Sequence, residues 1–276
     1  MQVGPYVLDG VLGAGGMGTV HRGRHTILGT EVAVKELSHP DPEARALFVQ
    51  EARLLFGLKH PSFPTVLDLI EAKGKTYLVM DLVRGTTLRA LVDQGCLRGA
   101  EAALVGRGVC AALESLHAMG VLHRDIKPEN IMLPRGLADP VLVDFGIAAR
   151  VGGPGAMAFT PGMASPEQVH GATCGPTSDL YQVGATLYAC VTGTAPPDAT
   201  TRAGDDDLGP GWPHVASQSA IADAVRWALR LDPARRPSGA RQLREALEKG
   251  APAPGPALLP VPPPSPGRRG LFDIRR

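Results

Sequence analysis

The feature that most constrains the fold is a change of hydrophobic period near residue 83. Before it, apolar residues come in short β-branched runs divided by Gly and polar turns: YVLDGVL from Tyr6, TVHRGRH from Thr19, EVAVKEL from Glu31, and PTVLDLIEAKGKTYLVMDL from Pro64. Runs of this kind predict a small antiparallel sheet, with Lys73-Gly74 as a hairpin turn. One helix interrupts it, with Asp41 as N-cap, Pro42 at the first helical position, and Ala44, Leu47, Phe48, Leu54, Leu55 and Leu58 at helical spacing. After Gly85 the patterns lengthen: Ala100 to Met119, with Leu104, Val105, Val109, Leu113 and Leu116 on one face, then Asp179 to Thr192, a stretch around Trp227, and Gly239 to Lys249. The expected fold is α+β with two lobes. Residues 1–83 form a small antiparallel β lobe with one helix, residues 84–249 a larger, mainly helical lobe, and a cleft opens near residues 80–85. Proline is so frequent from Ala251 to Gly267 that residues 250–276 are expected to be an unpacked linker with a short basic tail.

The chain has 276 residues, 44% of them apolar, enough for a sizeable core. Lys and Arg number 28 against 27 Asp and Glu, so net charge gives no reason to expect nucleic acid or an anionic membrane as partner. Any phosphate binding must be local. Cys96, Cys110, Cys174 and Cys190 form no C-x-x-C pair and follow no secretory signal, which favours reduced structural thiols in a cytoplasmic chain over metal ligands. No stretch approaches the roughly 18 uninterrupted apolar residues of a membrane span.

Gly13-Ala14-Gly15-Gly16-Met17-Gly18 fits either a dinucleotide fingerprint or a flexible loop. The dinucleotide motif needs a helix to begin inside it, whereas Thr19 to Arg24 reads as a strand, which favours a glycine-rich hairpin whose backbone N–H groups can approach phosphates. Val32-Ala33-Val34-Lys35 is an apolar strand ending in a lysine. Glu51 lies within the apolar stripe of the helical pattern that begins at Pro42, and an inward carboxylate needs a partner, for which Lys35 is suited. The densest polar group is Val121-Leu122-His123-Arg124-Asp125-Ile126-Lys127-Pro128-Glu129-Asn130, followed by Val141-Leu142-Val143-Asp144-Phe145-Gly146. Residues 130–133 and 141–144 read as a hairpin, which brings Asn130 beside Asp144: two hard-oxygen donors suited to Mg²⁺. Asp125, just before this pair, could accept a proton from an attacking hydroxyl, and Lys127 could neutralise charge on a transferred phosphoryl group.

In this order the motifs resemble those of the eukaryotic-type (Hanks-type) serine/threonine protein kinases of bacteria, over roughly residues 4–249. The resemblance implies transfer of the γ-phosphoryl group of ATP, with Mg²⁺ or alternatively Mn²⁺, to Ser or Thr hydroxyls of protein substrates. It implies that Leu12, Gly13, Ala14, Gly15, Gly16, Met17, Gly18, Thr19 and Val20 cover the nucleotide with Ala33, and that Lys35, paired with Glu51, holds its α/β-phosphates. Met80 would guard the back of the adenine pocket, with Asp81 and Val83 offering backbone contacts. Asp125 would be the base, Asn130 and Asp144 the metal ligands, and Thr160 a substrate-positioning residue. Glu167, in Ser165-Pro166-Glu167, would pair with Arg236, and Asp179 would hold the loop that carries Asp125; without the resemblance, Asp179 reads as an ordinary acid at a helix N-terminus. A pseudokinase scaffold and a kinase of small-molecule hydroxyls are the rival readings.

Three stretches depart from the family pattern. Residues 147–159 contain no Ser, Thr or Tyr, so the usual phosphate acceptor of this segment is missing. Thr194 to His214 reads as a loop where the family often has a substrate-docking helix, and Asp205-Asp206-Asp207 within it could select basic substrates, although short charge runs more often simply face water. The tail Arg268-Arg269-Gly270-Leu271-Phe272-Asp273-Ile274-Arg275-Arg276 reads equally as a docking peptide for a partner and as a disordered end.

Overall fold

The computed structural model describes residues 1–15, 18–37, 42–56, 58, 60–144, 149–150, 159–202, 204, 207–209, 212 and 219–249. Gly16, Met17, Asp41, residues 145–148 and 151–158, Asp205, Asp206 and residues 250–276 lie outside them, as do the side chains of Ala44, Leu47, Glu51 and Leu54.

The small lobe is an antiparallel sheet of β1 (Gln2–Val3), β2 (Tyr6–Gly15), β3 (Gly18–His25), β4 (Glu31–Leu37), β5 (Val66–Ala72) and β6 (Lys75–Asp81), in the order β1-β2-β3-β4-β6-β5. Strand alternation divides its side chains between two faces. Val32, Val34, Tyr77 and Val79 join Val3, Tyr6 and Leu8 in one apolar cluster, while Ala33, Leu78 and Met80 belong to the other, larger one. Lys35, two residues after Ala33, shares the second face. Helix α1 (Pro42–Phe56) covers that side through buried Phe48, Ala52 and Leu55 and begins at the expected proline. Lys73 and Gly74 both take positive φ, 52° and 75°, the geometry that suits a two-residue hairpin between Ala72 and Lys75.

The large lobe starts with β7 (Thr86–Thr87) and α2 (Leu88–Val92), then α3 (Gly99–Ala118). The short strand β8 (Val121–Leu122) follows, and a 3-10 turn (Pro128–Asn130) leads into the hairpin of β9 (Ile131–Leu133) and β10 (Val141–Leu142), with Met132 opposite Val141 and Ile131 opposite Leu142. Asn130 therefore ends the turn rather than starting the strand. β9 also pairs with β7, and β11 (Ala149–Arg150) with β8. Gly85, at the entry to β7, has φ 144°, and a Cβ there would stand 2.9 Å from Pro134 Cα, so the chain between the lobes passes too close to the hairpin for any side chain. Among the described residues the lobe continues with α4 (Pro166–Val169), α5 (Pro176–Thr192), α6 (Ser219–Ala228) and α7 (Ala240–Glu248). Helix α5 is the core of the lobe, buried without interruption from Ser178 to Cys190. Among the described residues no helix is long and apolar enough to cross a membrane.

Candidate active site

Residues 123–126 run between β8 and the 3-10 turn with their backbone withdrawn from water, so their N–H and C=O groups need protein partners. Helix α5 supplies them from one face, because Asp179, Gln182 and Thr186 are spaced three and four apart. Asp179 Oδ1 accepts from Arg124 N–H at 2.8 Å and Oδ2 from His123 N–H at 3.0 Å. Gln182 Oε1 accepts from Ile126 N–H at 2.9 Å, its amide donates to Arg124 O at 2.7 Å, and Thr186 Oγ1 donates to Ile126 O at 3.3 Å. From α4, Gln168 donates to the same Arg124 carbonyl at 3.0 Å. Held this way, Arg124 takes φ 65°, a left-handed conformation that costs a non-glycine residue on the order of 1 kcal/mol.

Asp179 is fully buried, and His117 Nε2 lies 2.8 Å from its Oδ2. Burial opposes its ionisation, but the His117 bond and the two backbone N–H groups outweigh this and hold the carboxyl below its ordinary value. It is more than the ordinary helix-end acid that the residues alone suggest, and it holds the Asp125 loop as the family resemblance implies. Asp179→Asn keeps the volume but turns an NH₂ group toward backbone donors. We expect it to lower stability by about 1–3 kcal/mol and the rate of the reaction that the Asp125 loop serves by about a hundredfold. Thermal unfolding and initial rates measure the two effects, and a variant with wild-type rates would show that this pin does not position the loop.

The pinned loop presents a compact polar group. Asp125 Oδ2 accepts from Asn130 Nδ2 at 2.7 Å and faces Lys127 Nζ at 2.9 Å, while Lys127 Nζ reaches Thr160 Oγ1 at 3.2 Å. Asn130 Nδ2 also bonds the Asp125 carbonyl at 2.9 Å, so the amide nitrogen is fixed and Oδ1 is the atom free to face a cation. Val143 N–H donates to Asn130 O at 2.9 Å, which sets Asp144, one residue on, beside Asn130. Asp144 also takes a left-handed φ, 64°. Its carboxylate forms an ion pair with Lys35 Nζ, joining the sheet of one lobe to the hairpin of the other. Partial withdrawal from water opposes ionisation of Asp144, but the Lys35 ammonium overcomes it and lowers the carboxyl from its ordinary value. The expected Lys35–Glu51 pair involves a side chain outside the described residues.

Above this group, β2 and β3 close through Gly15 opposite Gly18. Gly18 has φ 148°, and a Cβ there would stand 2.0 Å from Glu36 O, so only glycine lets β3 lie this close to β4. Val20 lies opposite Lys35, and Ala33 opposite Met80. Met80 lines a small, mainly apolar cavity together with Lys35, Phe48, Leu55, Val66 and Leu78. Asp81 N–H is engaged by Thr65 O at 3.0 Å, so of the expected backbone contacts at Asp81 its carbonyl is the one left to offer.

Farther out, Glu167 and Arg236 meet as a bidentate pair, Nη1 to Oε1 at 2.6 Å and Nη2 to Oε2 at 2.9 Å. Ser178 Oγ donates to Glu167, Arg236 donates to Arg230 O and Leu231 O, and its guanidinium stacks 4.9 Å over the Tyr181 ring. Burial opposes ionisation of Glu167, yet Arg236 holds its carboxyl below the ordinary value. A group of this kind stabilises the fold above the unfolded carboxyl pKa of about 4.3 and loses that contribution as pH falls through its lower folded value. Arg236→Ala leaves a buried carboxylate unpaired and should cost about 3–5 kcal/mol near neutrality. The gap to the wild type should narrow as pH falls, beginning above the ordinary carboxyl value of about 4.3 because burial without Arg236 favours the protonated carboxyl, and ending where the wild-type Glu167 is protonated too. Unfolding midpoints across pH 3–8 test this, and a gap independent of pH would contradict it.

His117, Gln168, Gln182 and Thr186 were not singled out by the sequence reading. For Gln182 and Thr186 a signal exists: polar residues inside an otherwise apolar helix, in register with Asp179. For His117 and Gln168 no local pattern points to the contact.

The two lobes thus bring the Lys35 ammonium from one side against the Asp144 carboxylate from the other. The protein kinase domain family model matches residues 6–248, and the chain belongs to that family, among its bacterial serine/threonine members. It is 32% identical over 270 residues to serine/threonine-protein kinase pkn2 of Myxococcus xanthus, covering 87% of this chain and 32% of that protein. It is 33% identical over 279 residues to serine/threonine-protein kinase PknB of Mycobacterium tuberculosis, covering 92% of this chain and 44% of that one. The crystal structure of the Mycobacterium tuberculosis PknI kinase domain superposes with a TM-score of 0.73 at 27% identity, over 91% of this chain and 98% of that chain. The chain thus spans less than half the length of these curated relatives.

Proposed function

We propose that the chain is a cytoplasmic serine/threonine protein kinase that moves the γ-phosphoryl group of Mg-ATP to protein hydroxyls. Its working unit is a small lobe to about residue 83 and a large lobe to about residue 249. The observation that carries this is the Asn130–Asp125–Lys127–Thr160 chain of bonds, with the Lys35–Asp144 pair across the cleft. The donor set fits the ligands the family uses. A carboxylate with a carboxamide oxygen suits a hard divalent cation, and a buried ammonium beside them suits phosphate oxygens. When bound, Mg²⁺ would screen the negative charge of the transferring group.

The residues would divide the work as follows. Asp144 and Asn130 Oδ1 hold the cation. Lys35 anchors α/β-phosphate oxygens, and Leu12 to Val20 cover them, with Ala33 and Met80 around the base. Glu51, on α1, is the second acid that Lys35 can address. Asp125 Oδ2 accepts the proton of the substrate hydroxyl as that oxygen attacks. Lys127 keeps Asp125 and Thr160 in register and offsets charge on the phosphoryl group in flight, so catalysis is positioning with charge stabilisation. Thr160 seats the substrate segment, and residues 268–276 are a candidate docking peptide for a protein partner.

Because residues 147–159 carry no hydroxyl, this kinase should not need phosphorylation of that segment. Purified protein, treated with phosphatase and then freed of it, is expected to label Ser or Thr of a generic basic protein from γ-labelled ATP at full initial rate. Absence of label on any protein hydroxyl would refute the kinase assignment. A lag that shortens as phosphate accumulates on Thr160 would refute the independence from phosphorylation while leaving that assignment intact.

A further inference from the structure

All four cysteines are free thiols, and Cys96 and Cys190, far apart in sequence, come together in the large lobe. Cys96 lies in the turn from α2 to α3 and is exposed; Cys190 lies in the last turn of α5 and is fully buried. Leu97 N–H donates to Cys190 O at 2.8 Å, which ties that turn to the helix. Standard backbone geometry then limits the Cys96 and Cys190 Cα atoms to a separation of at most about 7.6 Å. Cys96 Sγ stands 3.2 Å from where a Cβ on Gly193 would be. Gly193, with φ 82°, ends α5 less than one turn beyond Cys190, so the Cys96 sulfur overlies the same helix end. That limit overlaps the Cα separations of about 4.4–6.8 Å that disulfides span, so the backbone permits the pair to close when the exposed Cys96 side chain rotates toward Cys190.

The geometry points to Cys96 and Cys190 as an oxidisable dithiol that closes to an intramolecular disulfide when the chain meets hydrogen peroxide. Exposure decides the order. The Cys96 thiolate attacks one peroxide oxygen, the O–O bond breaks, and the departing hydroxide takes a proton to become water, leaving a sulfenic acid on Cys96. The Cys190 sulfur, losing its proton, then attacks Cys96 Sγ, and the S–O bond breaks to release a second water. Two thiols are oxidised by two electrons, and one peroxide is reduced to two waters. Burial, reinforced by the nearby Cys96, pushes the Cys190 thiol up to about 12, so Cys190 is not the group that meets peroxide first. The bond would close a long loop of chain and fasten the α2–α3 turn to the helix whose other end pins Arg124, raising stability without touching the cleft.

The test treats the full chain with a few equivalents of hydrogen peroxide, then alkylates free thiols under denaturing conditions and measures intact mass and linked peptides. The wild type should lose two hydrogen atoms, keep Cys110 and Cys174 alkylatable, yield a Cys96–Cys190 linked peptide, and unfold at a higher temperature until dithiothreitol is added. Cys96→Ser should abolish the link. Cys190→Ala, or Cys190→Ser if the alanine variant does not fold, should instead accumulate oxygen on Cys96. Wild-type protein that gains oxygen on Cys96 while Cys190 remains alkylatable would overturn the proposal. So would disulfides that join two chains through Cys96.

Discussion

Asp144→Asn is expected to reduce phosphoryl transfer by about a thousandfold or more, the scale of losing several kcal/mol of charge stabilisation. The carboxylate stands on a left-handed backbone position beside Asn130 and is kept ionised by Lys35, so its charge is what the site preserves. The substitution has a second consequence, because Lys35 is buried and would face a neutral amide. Stability should therefore fall in Asp144→Asn, while adding Lys35→Met to it should cost less than Lys35→Met costs in the wild type. Glu51→Ala completes the comparison. If Lys35 divides its ammonium between Glu51 and Asp144, the activity losses of Lys35→Met and Glu51→Ala will not add. Losses that sum would show that Glu51 is not a partner. An Asp144→Asn enzyme with near-normal activity in Mg²⁺ would remove Asp144 from the proposed metal site.

The architecture was legible in the sequence because it follows from periodicity. Alternating runs from Tyr6 to Asp81 became strands, the Lys73-Gly74 turn formed where two positive φ values were needed, and Val105, Val109, Leu113 and Leu116 became the buried face of α3, with Leu104 only half-buried. The polar residues around Asp125 were legible for a different reason. Acids, amides and lysines crowded between apolar strands cannot be buried without partners, and Asn130 and Lys127 on the turn after Asp125 became its partners. What the sequence concealed is long-range. The fixing of Arg124 and Ile126 depends on Gln168, Gln182 and Thr186, more than 40 positions away, and the charge of Asp179 depends on His117 across two helices. Lys35 shows the limit from the other side. The apolar stripe of α1 pointed to Glu51, but nothing near Lys35 in sequence pointed to Asp144, which reaches it across the cleft.

The most direct test of the central claim is the initial rate of γ-phosphoryl transfer to a protein hydroxyl by Asp125→Asn, measured beside Mg-ATP-dependent thermal stabilisation of the same variant. Asn130 Nδ2 and Lys127 Nζ both address Asp125 Oδ2, so an amide of the same shape preserves the setting and removes the proton acceptor. Transfer should fall by about 10²–10⁴-fold, the usual contribution of a general base, while the stabilisation by Mg-ATP remains close to wild type. An Asp125→Asn variant that transfers phosphate at near-wild-type rate would contradict the account, because the group at its centre would then have no part in the chemistry.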